Sequence, residues 1–212
     1  MRIITGIYKG RRFDIPRSFK ARPTTDFAKE NIFNVLNSYI DLEGVRALDL
    51  FAGTGSISLE LLSRGCSQVV SVEVDRDHAR FIGECVRKLG VTNHQLIRGD
   101  VFRYLKSAQK SSTLTRGSAA LPAAQQPYTA EGPYTPQSGL ARGSAAFSFI
   151  FADPPYALPN LPDIPDLVLQ SGILAPGGVF VFEHGKQNDF SSHPCFREHR
   201  AYGSVNFTIF TT

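Results

Sequence analysis

Val45-Arg46-Ala47-Leu48-Asp49-Leu50-Phe51-Ala52-Gly53-Thr54-Gly55 is the stretch that decides how this chain is read. An apolar run bounded by Gly44 predicts a short buried strand over residues 45–50. Two closely spaced glycines follow, and they allow a tight turn and a close backbone approach to a ligand. Residues 57–62 then return to helical spacing and stop near Gly65. A glycine loop that leaves a strand and opens a helix is where open α/β sheets bind nucleotide-like ligands.

The loop departs from the dinucleotide pattern. That pattern is G-x-G-x-x-G, whereas here Gly53-x-Gly55 runs into Ser56-Ile57-Ser58 and the third glycine is missing. Asp49 places a carboxylate ahead of the loop, which repels a pyrophosphate and suits a cationic ligand. S-adenosylmethionine, with its sulfonium and amino group, has that chemistry. Phe51, Ala52, Gly53, Thr54 and Gly55 then form the loop that would hold it.

Working outward, strand and helix patterns alternate. Residues 69–74 predict a second buried strand that places Glu73 and Val74 at its end, and residues 77–89 an amphipathic helix stopped by Gly90. Residues 95–98 predict a third strand, followed by Asp100 and a helix that begins at Val101. Two more apolar runs, 147–152 and 179–183, are strands. This alternation predicts a mostly parallel sheet with helices on both faces. In such a sheet Glu73 can accept hydrogen bonds from both ribose hydroxyls, and Asp100 can reach an adenine amine. The tail differs: residues 196–202 and 205–210 flank Gly203-Ser204 and predict an antiparallel hairpin.

The N-terminus forms a separate unit. Residues 2–15 predict two short strands around Lys9-Gly10. Thr24-Thr25-Asp26 offers an N-cap, with Glu30 as the far end of a capping box, for a helix that carries Ile32, Phe33, Leu36, Tyr39 and Ile40 and ends at Gly44. Residues 1–22 hold seven basic side chains against the single Asp14, while the remaining 190 residues hold sixteen basic and eighteen acidic ones. Arg2, Lys9, Arg11, Arg12, Arg17, Lys20 and Arg22 therefore concentrate the basicity and point to a polyanionic partner. The expected organisation is a basic hairpin arm over 1–25 and one α/β domain over 26–212. Residues 107–147 are an expected disordered insertion: 31 of the 41 are Ala, Ser, Thr, Gln, Gly or Pro, and Arg-Gly-Ser-Ala-Ala occurs twice.

Asp153-Pro154-Pro155-Tyr156 follows the fourth strand, so it faces the same crevice as the glycine loop. An exocyclic base amine is a poor nucleophile because its lone pair is delocalised into the ring. The Asp153 carboxylate and the Pro154 carbonyl can accept both amine hydrogens and favour a pyramidal nitrogen. Pro155 helps fix the backbone, and Tyr156 can stack on an extruded base.

Composition bounds the rest. The chain has 212 residues, 42% hydrophobic and 20% charged, which suits one ordinary globular domain. Three scattered cysteines (Cys66, Cys85, Cys195) give neither a disulfide framework nor a zinc site, and no metal is expected. No apolar run reaches the roughly 18 residues of a membrane span, and Met1 to Gly6 has no apolar signal region. A cytoplasmic monomer is expected.

The chain resembles class I S-adenosylmethionine-dependent methyltransferases of the D/N-P-P-Y/F group. More narrowly, it resembles the bacterial RsmD type, small-subunit ribosomal RNA guanine-N2 methyltransferases. Residues Arg2 to Gly6, Lys9 to Arg12, Arg22 to Asp26, Asp49 to Gly55, Asp153 to Tyr156, Gly177-Gly178, Glu183-His184 and Tyr202-Gly203 carry the resemblance. It implies a Rossmann-like seven-stranded sheet with an antiparallel C-terminal strand and a small N-terminal extension. It also implies that Thr24 and Thr25 approach the methionine end of the cofactor, and that the substrate is ribosomal RNA or the small ribosomal subunit. The family commonly has arginine one or three residues after the aspartate of the Arg-Pro-Thr block, where this chain has Phe27 and Lys29. An N6-adenine methyltransferase and a non-catalytic RNA-binding assembly factor are the alternative readings.

Overall fold

The computed structural model describes residues 1–19, 25–114 and 146–212. Its elements are helix α1 (Asp26–Leu36), strand β1 (Arg46–Leu50), α2 (Ser56–Ser63), β2 (Gln68–Glu73), α3 (Arg76–Leu89), β3 (His94–Arg98), α4 (Val101–Leu114), β4 (Phe147–Ala152), α5 (Ile164–Gln170), β5 (Leu174–His184), β6 (Phe196–Tyr202) and β7 (Val205–Thr211). The strands form one seven-stranded sheet in the order β3-β2-β1-β4-β5-β7-β6. Strands β1 to β5 pair in parallel, while β7 runs antiparallel to both β5 and β6. The expected α/β architecture, with its antiparallel C-terminal hairpin, is the one observed.

Each central strand is apolar on both faces, and alternation sends its residues to two cores. Ala47, Val69, Phe149, Phe151, Val179 and Val181 join Ile32, Phe33, Leu59 and Phe81 on one side. Leu48, Leu50, Val70, Val72, Ile150, Phe180 and Phe182 join Leu105, Ile164 and Val168 on the other. Cys66 and Cys85 are buried, and burial pushes both thiols up to about 12, so they act as small apolar side chains.

Several boundaries differ from those the sequence predicts. The N-terminal hairpin closes on one bridge, between Arg2 and Arg12, with two short strands replaced by turns; Ile3 N–H donates to the Arg11 carbonyl at 3.0 Å and Phe13 N–H to that of Met1 at 3.0 Å. Within the expected Thr24-Thr25-Asp26 cap, Thr25 caps α1, accepting from Ala28 N–H at 3.1 Å. Ala28 holds the capping-box position three residues on, so Glu30 is out of register for it. Helix α1 also stops at Leu36, eight residues before Gly44. Helix α5, preceded by a 3₁₀ turn (Leu161–Asp163), is an element for which the sequence reading gives no expectation; Pro162 and Pro165 each sit in a first turn, where no N–H bond is lost. Helix α4 continues to Leu114, past the expected start of the insertion at 107. The rest of that segment, residues 115–145, and Lys20, Arg22 and Thr24 lie outside the described residues.

Candidate active site

Parallel pairing aligns the carboxyl ends of β1 to β4, and the expected residues follow them. The backbone after β1 reverses sharply. Phe51 has φ +62°, a strained value for an aromatic residue, and Gly53 and Gly55 also have positive φ. The two glycines serve different ends. A side chain on Gly55 would meet Ile82 Cγ1 at 2.9 Å, so this glycine lets α2 pack against α3. Before Gly53 the space is open, with only the Phe51 carbonyl at 3.9 Å, so a side chain there would fill the cradle a ligand needs.

The acids around this cradle are held by backbone donors. Glu73, almost buried, accepts from Gly53 N–H at 2.6 Å through one oxygen and from Asp75 N–H at 2.7 Å through the other. A carboxylate so oriented keeps lone pairs for ribose hydroxyls. Asp49 is 2% exposed and accepts from both the N–H and the hydroxyl of Ser58 in α2. It thus braces the helix that the loop opens, rather than standing clear in the crevice as its sequence position suggests. Burial, offset in part by Ser58 and reinforced by nearby Asp153 and Glu73, pushes its carboxyl up to about 7. Asp100 is exposed and caps α4 through Arg103 N–H at 2.9 Å. Val74 is 67% exposed beside Glu73, an apolar face available to a flat ligand, whereas the Val101 side chain lies in the core. Thr54 is buried, and its hydroxyl donates to Met1 Sδ at 3.6 Å.

Across β4, Asp153 N–H donates to the Leu50 carbonyl at 3.4 Å, which ties the tetrapeptide to the end of β1. Pro154 is buried, whereas Pro155 and Tyr156 are exposed. The Tyr156 hydroxyl donates to Glu183 Oε1 at 3.0 Å, fixing a ring that stays 41% exposed. Burial and the neighbouring Glu183 and Asp153 carboxylates keep that phenol protonated well above its usual range. Glu73 and Asp153 thus bring two carboxylates to the region of an open glycine cradle. This donor and acceptor set fits a cationic nucleoside such as S-adenosylmethionine.

The basic arm is docked, not free. Ile3, Ile4 and Phe13 are buried in the core. Arg2 pairs with Asp26 at 3.1 Å, and Arg11 donates to the Lys88 carbonyl at 3.1 Å, so these two cations are partly engaged. Lys9, Arg12 and Arg17 are exposed. A cavity of about 550 Å³ opens between the arm and the head of α1, lined by Met1, Arg2, Arg12, Thr25, Asp26 and Ser56. It joins the basic arm to Ser56, the first residue after the glycine loop.

A family model described as "Conserved hypothetical protein 95" matches residues 1–116 and 130–211. The chain belongs to that family. The match omits only residues 117–129 within the chain, a narrower gap than the low-complexity segment. A relative in Bacillus subtilis, "Putative rRNA methyltransferase YlbH", is 32% identical over 188 residues, 88% of this chain and 84% of the relative. "Ribosomal RNA small subunit methyltransferase D" of Escherichia coli is 26% identical over 99% of this chain and 89% of its own length. The solved structure titled "Putative methyltransferase yhhF from Escherichia coli" superimposes with a TM-score of 0.72 at 22% identity, covering 100% of this chain and 97% of that one. The Rossmann-like methyltransferase fold and the RsmD-type resemblance are thereby borne out.

Three residues that build the site were not legible as functional. Lys29, which the sequence marks only as a departure from the arginine of the family it resembles, is fully buried. Its ammonium donates to the Arg2 carbonyl at 2.6 Å and to Ser56 Oγ at 3.0 Å, and faces Glu60 at 3.7 Å. Burial lowers its pKa, against the pull of Glu60. Glu60 in turn accepts from Ile4 N–H at 2.8 Å, Thr5 N–H at 3.0 Å and Arg64 Nε at 3.1 Å. Glu183 anchors Tyr156. A charged residue inside the apolar run of α2 was the available signal for Glu60. His184, by contrast, is a satisfied core residue, between the Gly185 carbonyl at 2.9 Å and Thr208 Oγ1 at 2.8 Å.

Proposed function

We propose that the protein is an S-adenosylmethionine-dependent methyltransferase acting on the exocyclic N2 amine of a guanine in small-subunit ribosomal RNA, as a cytoplasmic monomer. The observation that carries this is the convergence of the Gly53–Gly55 cradle, Glu73, Asp100 and Asp153-Pro154-Pro155-Tyr156 at one end of the sheet. When bound, S-adenosylmethionine supplies the electrophilic methyl group. The names of the relatives support the RNA class, and among the described residues no helix is long and apolar enough to cross a membrane.

The chain's own contribution is positional and electrostatic. Gly53 and Glu73 hold the nucleoside, with Val74 and Asp100 beside its base. Thr25, at the head of α1, faces the cavity next to Ser56. Asp153 accepts from the target amine and takes up its proton as the new bond forms, while the tethered Tyr156 ring packs on the extruded base. Lys9, Arg12 and Arg17 hold phosphates.

Transfer of a labelled methyl group to small subunits from cells lacking the modification tests this reading. Mass spectrometry of the nucleosides should show N2-methylguanosine. N6-methyladenosine would move the assignment to the other base, and no incorporation would overturn it.

A further inference from the structure

Two aromatic side chains stand beside this site with no part in the chemistry above. Phe27, in the first turn of α1, is 66% exposed. Its ring meets that of Tyr202, the last residue of β6, edge to face at 6.2 Å and 88°. Exposing a phenylalanine to this extent leaves apolar area in water that a partner can cover.

The topology places the pair on the rim of the active site. Strand β6 is antiparallel to β7, which is antiparallel to β5, which is parallel to β4. Strands β4 and β6 therefore point the same way, and the register sets Arg200 level with Asp153, so Tyr202 lies two residues beyond that level on the side of the site. Three interstrand spacings, about 14 Å, separate the two strands sideways. Two residues upstream of Phe27, Thr25 lines the cavity next to the glycine loop.

From Tyr202 a groove of about 580 Å³ runs between α1 and β6. Asn31, Asn34, Ser38, Glu198 and Arg200 line it. Its charges are balanced, since Glu198 pairs with Arg200 and accepts from the Tyr39 hydroxyl. A groove of this kind repels no phosphate strongly and attracts none strongly. It offers amides and hydroxyls that suit base edges and ribose, and it ends at Tyr202, whose ring meets that of Phe27.

We infer that Phe27 and Tyr202 form a stacking platform for an unpaired nucleotide flanking the target base, with the α1–β6 groove receiving the strand that leads away from it. The inference rests on RNA being the substrate. Aromatic stacking suits any base, contributing about 1–3 kcal/mol per base. It thus gives a way of gripping single-stranded RNA that the basic arm, which reads phosphates, does not supply.

The chain contains no tryptophan, so Phe27→Trp installs a single fluorescent reporter at the platform. Binding of an unmodified RNA fragment containing the methylation site should quench its emission and leave KM near the wild-type value. Phe27→Ala should raise KM for that RNA roughly tenfold, with kcat and cofactor affinity unchanged. Tyr202→Phe, which keeps the ring, should behave as wild type, whereas Tyr202→Ala should resemble Phe27→Ala. Unquenched emission, or an unchanged KM for Phe27→Ala, would overturn the platform while leaving the methyltransferase reading intact. A defect on assembled subunits that is absent on RNA would assign the surface to a ribosomal protein instead. A wild-type protein that methylates no RNA would remove both readings.

Discussion

Each acid at the ends of β1 to β3 is met by a donor from the chain itself. Ser58 holds Asp49, Gly53 and Asp75 hold Glu73, and Arg103 holds Asp100. After β4 and at the head of α1 the side chains are open: Pro155, Tyr156 and Phe27 are all exposed. The contrast matches what each half must bind. A small, invariant cofactor is served by a cradle whose acceptors are oriented in advance, so that little ordering is left to the moment of binding. A folded RNA brings its own shape, and rings and cations on an open rim can meet it without a preformed pocket. The N-terminal arm belongs to both halves, because Glu60 and Lys29 fasten its backbone to α2 while its cations face outward.

The largest effect that can break this picture lies in that fastening. Glu60→Ala removes the acceptor of two arm amides and the carboxylate that the buried Lys29 ammonium faces. We expect a loss of about 3–5 kcal/mol in urea unfolding. A loss under about 1 kcal/mol would mean that the arm is held by its apolar packing alone, through Ile3, Ile4 and Phe13. Next in size is Asp153→Ala. If the open half positions the amine and the closed half holds the cofactor, single-turnover transfer should fall on the order of a hundredfold or more. Calorimetric affinity for S-adenosylmethionine should stay within a few-fold. An equal drop in both would show that the halves are not separable.

The closed half was largely legible from the sequence, because its signals are local. A strand, two glycines and an acid at each strand end are readable from spacing alone, and parallel pairing then brings them together. The strong double-sided apolar runs made the sheet plain. The features that spacing does not reveal depend on long-range packing. Nothing near Lys29 in sequence indicates that its ammonium turns inward to Ser56, 27 residues on. Nothing near Asp49 indicates that its carboxylate bonds Ser58 at the start of the next helix instead of pointing at a ligand. The Tyr156–Glu183 tether spans 27 residues and a strand crossing. The helix ends at Leu36 and Leu114 are hidden for a more ordinary reason: apolar periodicity runs past the first, and polar composition sets in before the second.

Asp49 supplies a smaller and more specific test of the closed half. Its carboxyl is raised to about 7, above the ordinary aspartate value, so the folded state holds a proton that the unfolded chain has released. Stability from this group is complete below about pH 4 and is lost as pH rises through about 7. Relative to Asp49→Asn, the wild type should lose about 1 kcal/mol per pH unit across that window, measured by urea midpoints at constant ionic strength. His94, lowered to about 4 by burial, gives the opposite slope up to about pH 6.5, but it is common to both proteins and cancels in the difference. A flat difference would place the Asp49 carboxylate in touch with water.

The smallest effect separates the arm's own residues. Seven cations in sequence suggest seven phosphate partners, but the fold has already engaged some of them. Arg2 is paired with Asp26 and Arg11 with the Lys88 carbonyl, whereas Lys9, Arg12 and Arg17 stand exposed. Each RNA phosphate left without its cation should flatten the dependence of log affinity on log salt by about 0.7 to 0.9. Replacing Lys9, Arg12 and Arg17 one at a time by glutamine should therefore reduce the slope by a similar step in each variant, without changing the preferred RNA. Arg2→Gln should instead change stability more than slope, because the charge it removes is balanced by Asp26 rather than by RNA. Equal slope changes for all four variants would show that RNA pulls Arg2 away from Asp26, and that the arm reshapes itself when it binds.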